Sequence, residues 1–259
     1  MKKILKSIHN FLISLTIPFK VIRNFLFPGI IVLLYHRVFD TEIDPQLLCV
    51  SPENFKKQML YLKDNYKILR ISELLKCLKE KKVFQKGIVI TFDDGYADNY
   101  EFALPILEKL RIPAAFFVCG GNIGKSEEFV RKYYRALSIN ELQKMIKSEC
   151  VEIGGHTVNH TRLSALSKNE QRKEIEENKN YLEKIINKKI LAFSYPYGRK
   201  RDYNLDTIEI VKNNYQIAFS NFPGIIRNNS HIYELPRFLI RDWDIEIFKR
   251  KIRNFFLTS

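Results

Sequence analysis

Two adjacent carboxylates, Asp93 and Asp94, directly follow an apolar run in the sequence. Residues 87–92 are rich in β-branched and aromatic side chains, which predicts a buried strand, and Gly95 then provides a turn. We therefore expect both carboxylates at the C-terminal end of a strand, where α/β folds place their chemistry. Because neighbouring carboxylates repel each other, such a pair is explained if one binds a cation while the other accepts a proton. A simple Asp-Gly turn is the alternative.

A pair of histidines offers further metal ligands. His156 and His160 follow residues 151–155, which are predicted to form another short strand. Histidines at positions i and i+4 are expected to share one face of a helical turn, where both can bind one metal ion. Together with Asp94 they form a set of two histidines and one carboxylate, which leaves coordination positions open for water and substrate.

These two segments resemble the first two motifs of the polysaccharide deacetylase family, the NodB-homology or carbohydrate esterase 4 group. They read TFDDG at residues 91–95 and HTVNH at residues 156–160, and the resemblance extends over nearly the whole chain. It implies a distorted (β/α) barrel that hydrolyses the acetyl group of an N-acetylated sugar with the help of a metal ion. By position in the motifs, it also implies that Asp93 is the catalytic base and that Asp94, His156 and His160 hold the metal.

The third motif departs from the family pattern. The family usually places an arginine two residues before a proline, in contact with the catalytic carboxylate, whereas this chain has Ser194 before Pro196. Arg237, in the sequence Leu-Pro-Arg, is the candidate replacement, and a structural ion pair is the alternative role for it. The family binds the reaction's oxyanion with the metal and the amide that follows the proline, which assigns that role to the backbone N–H of Tyr197.

A second departure concerns the general acid. The family's leucine-x-histidine motif near the C-terminus is missing, which leaves His9, His36 and His231 without a role. His36 follows the predicted first strand, residues 30–35, and should face the same mouth of the barrel as Asp94. We therefore predict that His36 is the acid, with a purely structural histidine as the alternative. Both departures resemble branches of the family that act on surface polysaccharides rather than on chitin or peptidoglycan.

Composition sets further bounds. A chain of 259 residues with 46% hydrophobic content suits one α/β barrel, which we predict over residues 28–259. The net charge of +14 could suit nucleic acid, but the lysines are scattered and no nucleic-acid motif is present. An anionic membrane surface or an anionic glycan fits this charge better, and we infer no obligate protein partner.

Cysteine usage indicates the compartment. The chain has four cysteines without a CxxC pair, and Cys77 and Cys119 lie in apolar segments that predict small core residues. A reducing compartment is favoured. We therefore expect a cytoplasmic protein that could lie on the inner face of the membrane, with export left open.

The N-terminal residues 1–27 are predicted to form a basic amphipathic helix. Their longest apolar run, residues 11–19, is far shorter than the roughly 20 residues that span a bilayer, and no signal-peptide cleavage site follows. A helix lying on a membrane is the preferred interpretation. A helix packed against the barrel is the alternative.

Strand and helix patterns alternate along the rest of the chain, which predicts a parallel sheet or barrel. The predicted strands cover residues 30–35, 67–70, 87–92, 112–118, 151–155, 191–195, 216–220 and 235–240. The predicted helices cover residues 52–65, 72–81, 99–110, 138–148, 167–187, 205–213 and 244–255. Tyr133 and Tyr134 fall in a loop that could form a wall of a sugar site or simply pack.

The function expected from these features is metal-dependent removal of N-acetyl groups from N-acetylhexosamine units of a cell-surface polysaccharide or its lipid-linked precursor. Zn²⁺ is the default ion for such ligands, and Co²⁺, Ni²⁺ or Fe²⁺ would also fit. A glycan-binding module that has lost catalysis and an amidohydrolase acting on a small non-sugar amide remain alternatives.

Overall fold

The computed structural model of the protein describes residues 29–83, 85–125 and 135–258. The predictions for residues 1–27, Tyr133 and Tyr134 lie outside these ranges. The elements in chain order are β1 (Gly29–Tyr35), β2 (Arg37–Val38), β3 (Cys49–Val50), α1 (Pro52–Asn65), β4 (Lys67–Ile68), α2 (Ile71–Lys79), β5 (Gln85–Phe92), α3 (Leu104–Leu110), β6 (Ala114–Val118), α4 (Ile139–Met145), β7 (Val151–Gly155), α5 (Lys168–Ile186), β8 (Ala192–Ser194), α6 (Leu205–Asn214), β9 (Ile217–Phe219), β10 (Phe238–Leu239) and α7 (Ile245–Thr258).

One curled parallel sheet forms the centre of the fold. Its strand order is β10-β1-β5-β6-β7-β8-β9, and β4 pairs with the beginning of β5. Leu235 forms a parallel bridge with Phe219 of β9, and three residues later β10 pairs with β1. The segment from Leu235 to Leu239 thus connects the two ends of the sheet and curls it into a distorted (β/α) barrel, as expected from the sequence.

The strands are apolar on both faces because each face packs against its own core. The inner face fills the barrel with branched and aromatic side chains. The outer face packs against α1, α3 and α7, with Phe92 stacked on Phe116 at a centroid distance of 4.8 Å. Since the side chains of a strand alternate between faces, Val89 points inward while Phe92 points outward, and Asp93 is in phase with the inward set.

Several helix starts follow capping chemistry that the sequence already contains. Ser51 caps α1 by accepting a hydrogen bond from the backbone N–H of Asn54 at 3.3 Å. Ser72 is predicted to cap α2, which is wrong, because α2 begins at Ile71 and Arg70 is its N-cap. The cause is a distant carboxylate: Glu152 accepts hydrogen bonds from the backbone N–H groups of Ile71 and Ser72, and no local pattern could show that contact.

The predicted helix over residues 99–110 is also built differently. It opens with a π-helical turn, Asn99–Ala103, before the α-helix continues from Leu104. The amide of Asn99 explains the placement of this turn, because its Nδ2 donates to the carbonyl oxygen of His36 at 2.9 Å. The turn therefore packs directly behind the end of β1. Among the described residues, no helix is both long and apolar enough to cross a membrane.

Candidate active site

The two carboxylates leave the end of β5 in different directions. The backbone N–H of Asp93 donates to the carbonyl of Tyr35 at 3.0 Å, so Asp93 continues the β1–β5 ladder and its side chain faces the barrel interior. Asp94 has a positive φ of 75° and Gly95 one of 74°. This left-handed turn, which glycine accommodates without strain, turns the side chain of Asp94 towards the histidines. Adjacent residues thereby acquire separate surroundings.

Asp93 is buried in a two-point ion pair with Arg237. Arg237 Nη1 donates to Asp93 Oδ1 at 2.8 Å and Nη2 donates to Oδ2 at 2.7 Å. The hydroxyl of Ser194 also donates to Oδ2, at 3.0 Å. Ser194, at the position where the family usually has its arginine, therefore contacts Asp93. The guanidinium comes instead from Arg237, which directly precedes β10. The geometry predicted for Arg237 from the sequence is present.

The histidine pair meets at Asp94. Asp94 Oδ1 lies 3.2 Å from His156 Nε2 and 3.3 Å from His160 Nε2. The predicted helical turn is wrong: residues 156–160 form an irregular turn in which Thr157 and His160 have positive φ values of 64° and 54°. The backbone bends back on itself, and this bend rather than helical spacing brings the two imidazole rings to a centroid distance of 5.0 Å.

The donor atoms fit a cation. His156 Nδ1 lies 2.7 Å from the carbonyl oxygen of Ser194, and because a carbonyl can only accept, Nδ1 must carry a proton. In the neutral ring, the lone pair on Nε2 then points at Asp94 Oδ1, which is shielded from water and accepts no hydrogen bond from the described residues. Two facing lone pairs require positive charge between them, supplied by a metal ion or by a proton. Asp94, His156 and His160 therefore suit a divalent metal.

The pKa shifts of the site also indicate a need for positive charge. Burial raises the pKa of Asp93, but the charges of Arg237, His156 and His36 together outweigh this effect and bring the pKa below its ordinary value. Burial likewise raises the pKa of Asp94, and His160, His156 and His36 together lower it by more than burial raises it. Burial lowers the pKa of His156, yet Asp93 and Asp94 raise it above the ordinary value overall. Both carboxylates are thus ionised at neutral pH, and the site attracts positive charge.

Cys119 lies beside these donors although the sequence suggested only a core residue. Its thiol donates to the carbonyl of His156 at 3.0 Å, and a ligand atom from each of Asp94, Cys119 and His156 lies within 4.8 Å of the others. One signal in the sequence could have found it, because Cys119 directly follows strand β6 at the same edge of the sheet as Asp93. Burial raises the pKa of this thiol well above its usual range, which favours the neutral form and a weak hydrogen bond over metal ligation.

His36 lies in the cleft predicted for it. It follows β1 at the barrel mouth, and its Nδ1 is buried with no hydrogen-bond partner among the described residues. Burial lowers the pKa of His36, and the charge of Asp94 opposes that shift without cancelling it. An imidazole at this position, with one unpaired nitrogen, can take up a proton and pass it to a molecule bound in the cleft. Of the other unassigned histidines, His231 is exposed and lies 3.4 Å from Glu234, and His9 lies outside the described residues.

Tyr197 presents its amide and its ring separately. The residue has a positive φ of 60°, and the turn around it is closed by a hydrogen bond from Gly198 N–H to Pro196 O at 2.6 Å. No backbone carbonyl of the described residues accepts from the Tyr197 N–H. Its half-exposed ring packs edge-on against His160 at 4.8 Å.

All the predicted site residues except Arg237 line one open cleft of about 360 Å³ at the carboxyl end of the barrel. Arg237 lies beneath the floor of the cleft and is fully buried. The cleft combines an ionised carboxylate, a cation-binding set and the imidazole of His36. Such a set of groups suits the hydrolysis of an amide or ester.

Comparison with known proteins identifies the class of the protein. A family model described as polysaccharide deacetylase matches residues 74–216, more than half of the chain. This match includes Asp93, Asp94, His156, His160 and Tyr197. The chain therefore belongs to the polysaccharide deacetylase family.

Individual relatives agree with this assignment. YxkH of Bacillus subtilis (strain 168) is 30% identical over 209 residues, which cover 80% of this chain and 69% of that protein. The poly-β-1,6-N-acetyl-D-glucosamine N-deacetylase of Staphylococcus aureus (strain MRSA252) is 32% identical over 202 residues, or 74% of this chain and 68% of that protein. The solved structure of the Streptococcus pyogenes deacetylase PplD in complex with acetate superposes with a TM-score of 0.74 at 27% identity, covering 86% of this chain and 98% of that one.

We predict that the purified protein binds one divalent ion per chain and that His156→Ala and His160→Ala each lose it, because two imidazoles are needed beside Asp94. Elemental analysis after dialysis, followed by titration with Zn²⁺, measures the occupancy. Cys119→Ser is the matched control and should keep the ion. Full occupancy in the histidine variants would contradict this ligand set, and loss of the ion in Cys119→Ser would add the thiol to the ligands.

We also predict that Arg237→Met raises the pKa of Asp93, because burial then acts on that carboxylate without the opposing guanidinium. A base works only when ionised, so activity is lost as pH falls through its pKa. The acidic limb of the pH–rate profile should therefore move to higher pH.

Two comparisons control this experiment. Ser194→Ala removes one neutral hydrogen bond from Asp93 but keeps the charge, so its acidic limb should move less. Arg237→Met should also lower the free energy of unfolding by about 3–5 kcal/mol, because it leaves a buried charge unpaired, and Arg237→Lys should restore part of that loss. An acidic limb at the same pH in Arg237→Met and wild type would assign Arg237 a purely structural role.

Proposed function

We propose that this protein is a metal-dependent hydrolase that removes N-acetyl groups from N-acetylhexosamine units of a cell-surface polysaccharide or its lipid-linked precursor. The observation that carries the proposal is that the adjacent carboxylates of Asp93 and Asp94 have different partners. One carboxylate is neutralised by Arg237, while the other faces two imidazoles and requires a cation. Membership of the polysaccharide deacetylase family and the resemblance to a poly-β-1,6-N-acetyl-D-glucosamine N-deacetylase support the reaction and the class of substrate.

The base and the metal set lie close enough to act on one molecule. Asp93 Oδ2 is 3.9 Å from His156 Nε2, the nitrogen that faces Asp94. A divalent ion held by Asp94, His156 and His160 would polarise the acetyl carbonyl and make water more acidic. Asp93, ionised because of Arg237, accepts the proton of the attacking water.

Two further groups complete the reaction. The Tyr197 N–H, which makes no backbone hydrogen bond within the described residues, donates to the oxygen on which negative charge develops. His36 gives a proton to the sugar nitrogen as the carbon–nitrogen bond breaks, because an amine leaves only when protonated. The products are acetate and a free amino sugar. A module that only bound glycans would have no use for a base held ionised by a buried arginine.

Residues 1–27 are proposed to place this site at a membrane, as part of the same function. Their apolar stripe and lysines suit an anionic surface, where each lysine adds roughly 1 kcal/mol of attraction. A lipid-linked or nascent glycan would then meet the mouth of the barrel. The domain boundary at residue 28 follows from this proposal.

Acetate release tests the proposed reaction directly. The metal-loaded protein is assayed on β-1,4- and β-1,6-linked N-acetylglucosamine oligomers and on lipid-linked N-acetylhexosamines, with and without a chelator. We expect release that the chelator abolishes and that Zn²⁺ or Co²⁺ restores. Absence of release from every sugar, together with hydrolysis of a small acylated amine, would favour the amidohydrolase alternative.

We predict that Asp93→Asn keeps the metal but lowers the turnover number by about 10²-fold or more, since it removes the base and leaves every ligand in place. The asparagine is nearly isosteric, so binding of the intact oligomer should be close to that of the wild type. Metal content, equilibrium binding and acetate release are measured on the same preparation. Turnover near the wild-type value would give the base role to another group.

We predict that His36→Gln slows release from N-acetyl sugars by about 10²-fold but has little effect on 4-nitrophenyl acetate, whose leaving group needs no proton. In the wild type, activity towards the amide should fall as pH rises through the pKa of His36, because a general acid must be protonated. Asp93→Asn is the control, because it should lose activity on both substrates. Equal loss on both substrates in His36→Gln would exclude the role of proton donor.

A further inference from the structure

We propose that the substrate carries an anionic group, a phosphate or a carboxylate, on the reacting sugar or on the sugar next to it. This inference rests on the proposed function and specifies its substrate. Three arginines that the mechanism does not use, Arg162, Arg199 and Arg201, line the same cleft as the carboxylates. We call them the arginine rim.

A buried carboxylate holds the arginine rim in place. Asp202 is 1% exposed, and its Oδ2 accepts a hydrogen bond from the backbone N–H of Arg199 at 3.0 Å. The backbone N–H of Asp202 donates in turn to the carbonyl of Arg199 at 2.8 Å. These two bonds close a tight turn over residues 199–202. The backbone that carries Arg199 and Arg201 is therefore held in one turn, anchored by the buried side chain of Asp202.

Asp202 also holds Arg162, which comes from a different loop. Arg162 Nε lies 3.0 Å from Asp202 Oδ1, and the backbone of Ser164 donates to the Asp202 carbonyl at 3.0 Å. This contact is an ion pair and not a hydrogen bond, since Asp202 Oδ1 accepts no hydrogen bond from the described residues, and it leaves the terminal nitrogens of Arg162 for another partner. One buried side chain thus gathers two loops and sets their arginines along one side of the cleft.

The rim is close to the reacting centre. The guanidinium carbon of Arg162 lies 5.3 Å from the centre of the Tyr197 ring, and that ring lies 4.8 Å from the ring of His160. A single aromatic ring therefore separates Arg162 from a proposed metal ligand. A sugar whose acetyl group reaches the metal would place its own substituents, or those of its neighbour, beside the rim.

Charge on the rim is not balanced by the protein. Asp202 is shared between Arg162 and Arg201, whose Nε atoms lie 3.0 and 3.9 Å from it. Within the described ranges, no carboxylate pairs with the guanidinium of Arg199. Beneath the floor of the cleft, Arg237 already neutralises Asp93. A neutral glycan would leave this excess positive charge to water, whereas phosphate or carboxylate oxygens match the planar guanidinium with paired hydrogen bonds.

The kinetic experiment compares substrates that differ in one anionic group. The probes are a β-linked N-acetylglucosamine trisaccharide, the same trisaccharide with a 6-phosphate, and a trisaccharide in which one neighbour is a uronic acid. We expect kcat/KM for acetate release to be about tenfold higher for at least one anionic probe at low salt, with the preference shrinking as salt is added. The phosphate and uronate probes show which anion is bound.

Arg199→Gln and Arg162→Gln should abolish that preference and leave the neutral trisaccharide nearly unaffected. Lys200→Gln is the matched control, because it removes one positive charge from the same turn, but this side chain pairs with Glu234 and does not line the cleft. The preference for the anionic probe should persist in Lys200→Gln. Equal kcat/KM values for all three probes in the wild type, or equal losses on neutral and anionic probes in the arginine variants, would overturn the proposal.

A binding measurement separates this inference from the proposed reaction. Calorimetry with metal-loaded Asp93→Asn should show about tenfold tighter binding of an anionic probe than of the neutral one, whether or not acetate is ever released. If the anionic probe binds more tightly but the wild type releases no acetate, the deacetylase function is contradicted and the anion site is not. Arginine variants that lose pelleting with phosphatidylglycerol vesicles but keep wild-type probe discrimination would instead assign the rim to a membrane surface and overturn the inference.

Discussion

The ion pair between Asp93 and Arg237 is the interaction on which the rest of the site depends. Both side chains are buried, and removing two charges from water is costly unless every polar group finds a partner. Arg237 meets this condition, because its Nε donates to the carbonyl of Ser220 at 2.8 Å and its Nη2 also donates to the hydroxyl of Ser194 at 2.7 Å. The pair therefore ties the ends of β5, β8, β9 and β10 together, at the place where the barrel closes.

The same ion pair separates the functions of two neighbouring carboxylates. Asp93 has a permanent counter-charge and is held ionised, whereas Asp94 faces two imidazoles that supply positive charge only when protonated. Positive φ at Asp94 turns its side chain away from Arg237 and towards His156. Different surroundings thus suit chemically identical residues to different tasks, and we propose that Asp93 is a base and Asp94 a metal ligand. Ser194 links the surroundings of Asp94 to those of Asp93. Its carbonyl accepts a hydrogen bond from His156, and its hydroxyl contacts Asp93.

The arginine of the site has changed its place in the sequence but not its partner. A buried carboxylate such as Asp93 needs a counter-charge, and a guanidinium from Arg237, directly before β10, supplies it as well as one from the position two residues before Pro196 would. Ser194 is small enough to leave room for the incoming side chain, and its hydroxyl fills one of the remaining hydrogen-bond positions. The arginine rim adds further positive charge along the cleft, and contacts with Asp202 hold these arginines in place.

The sequence by itself determined the alternation of strands and helices, the carboxylates at the end of β5 and the identity of the candidate ligands. Hydrophobic periodicity and capping residues act locally, so those features could be predicted from neighbouring residues alone. Tertiary structure decided what depends on contacts between distant segments. It replaced the predicted helical turn at residues 156–160 with an irregular bend, placed the buried Cys119 beside the site, and joined Asp93 to Arg237 across 144 positions of the chain. Such contacts form only when the barrel closes, because the closed sheet brings strand ends together that no local pattern relates.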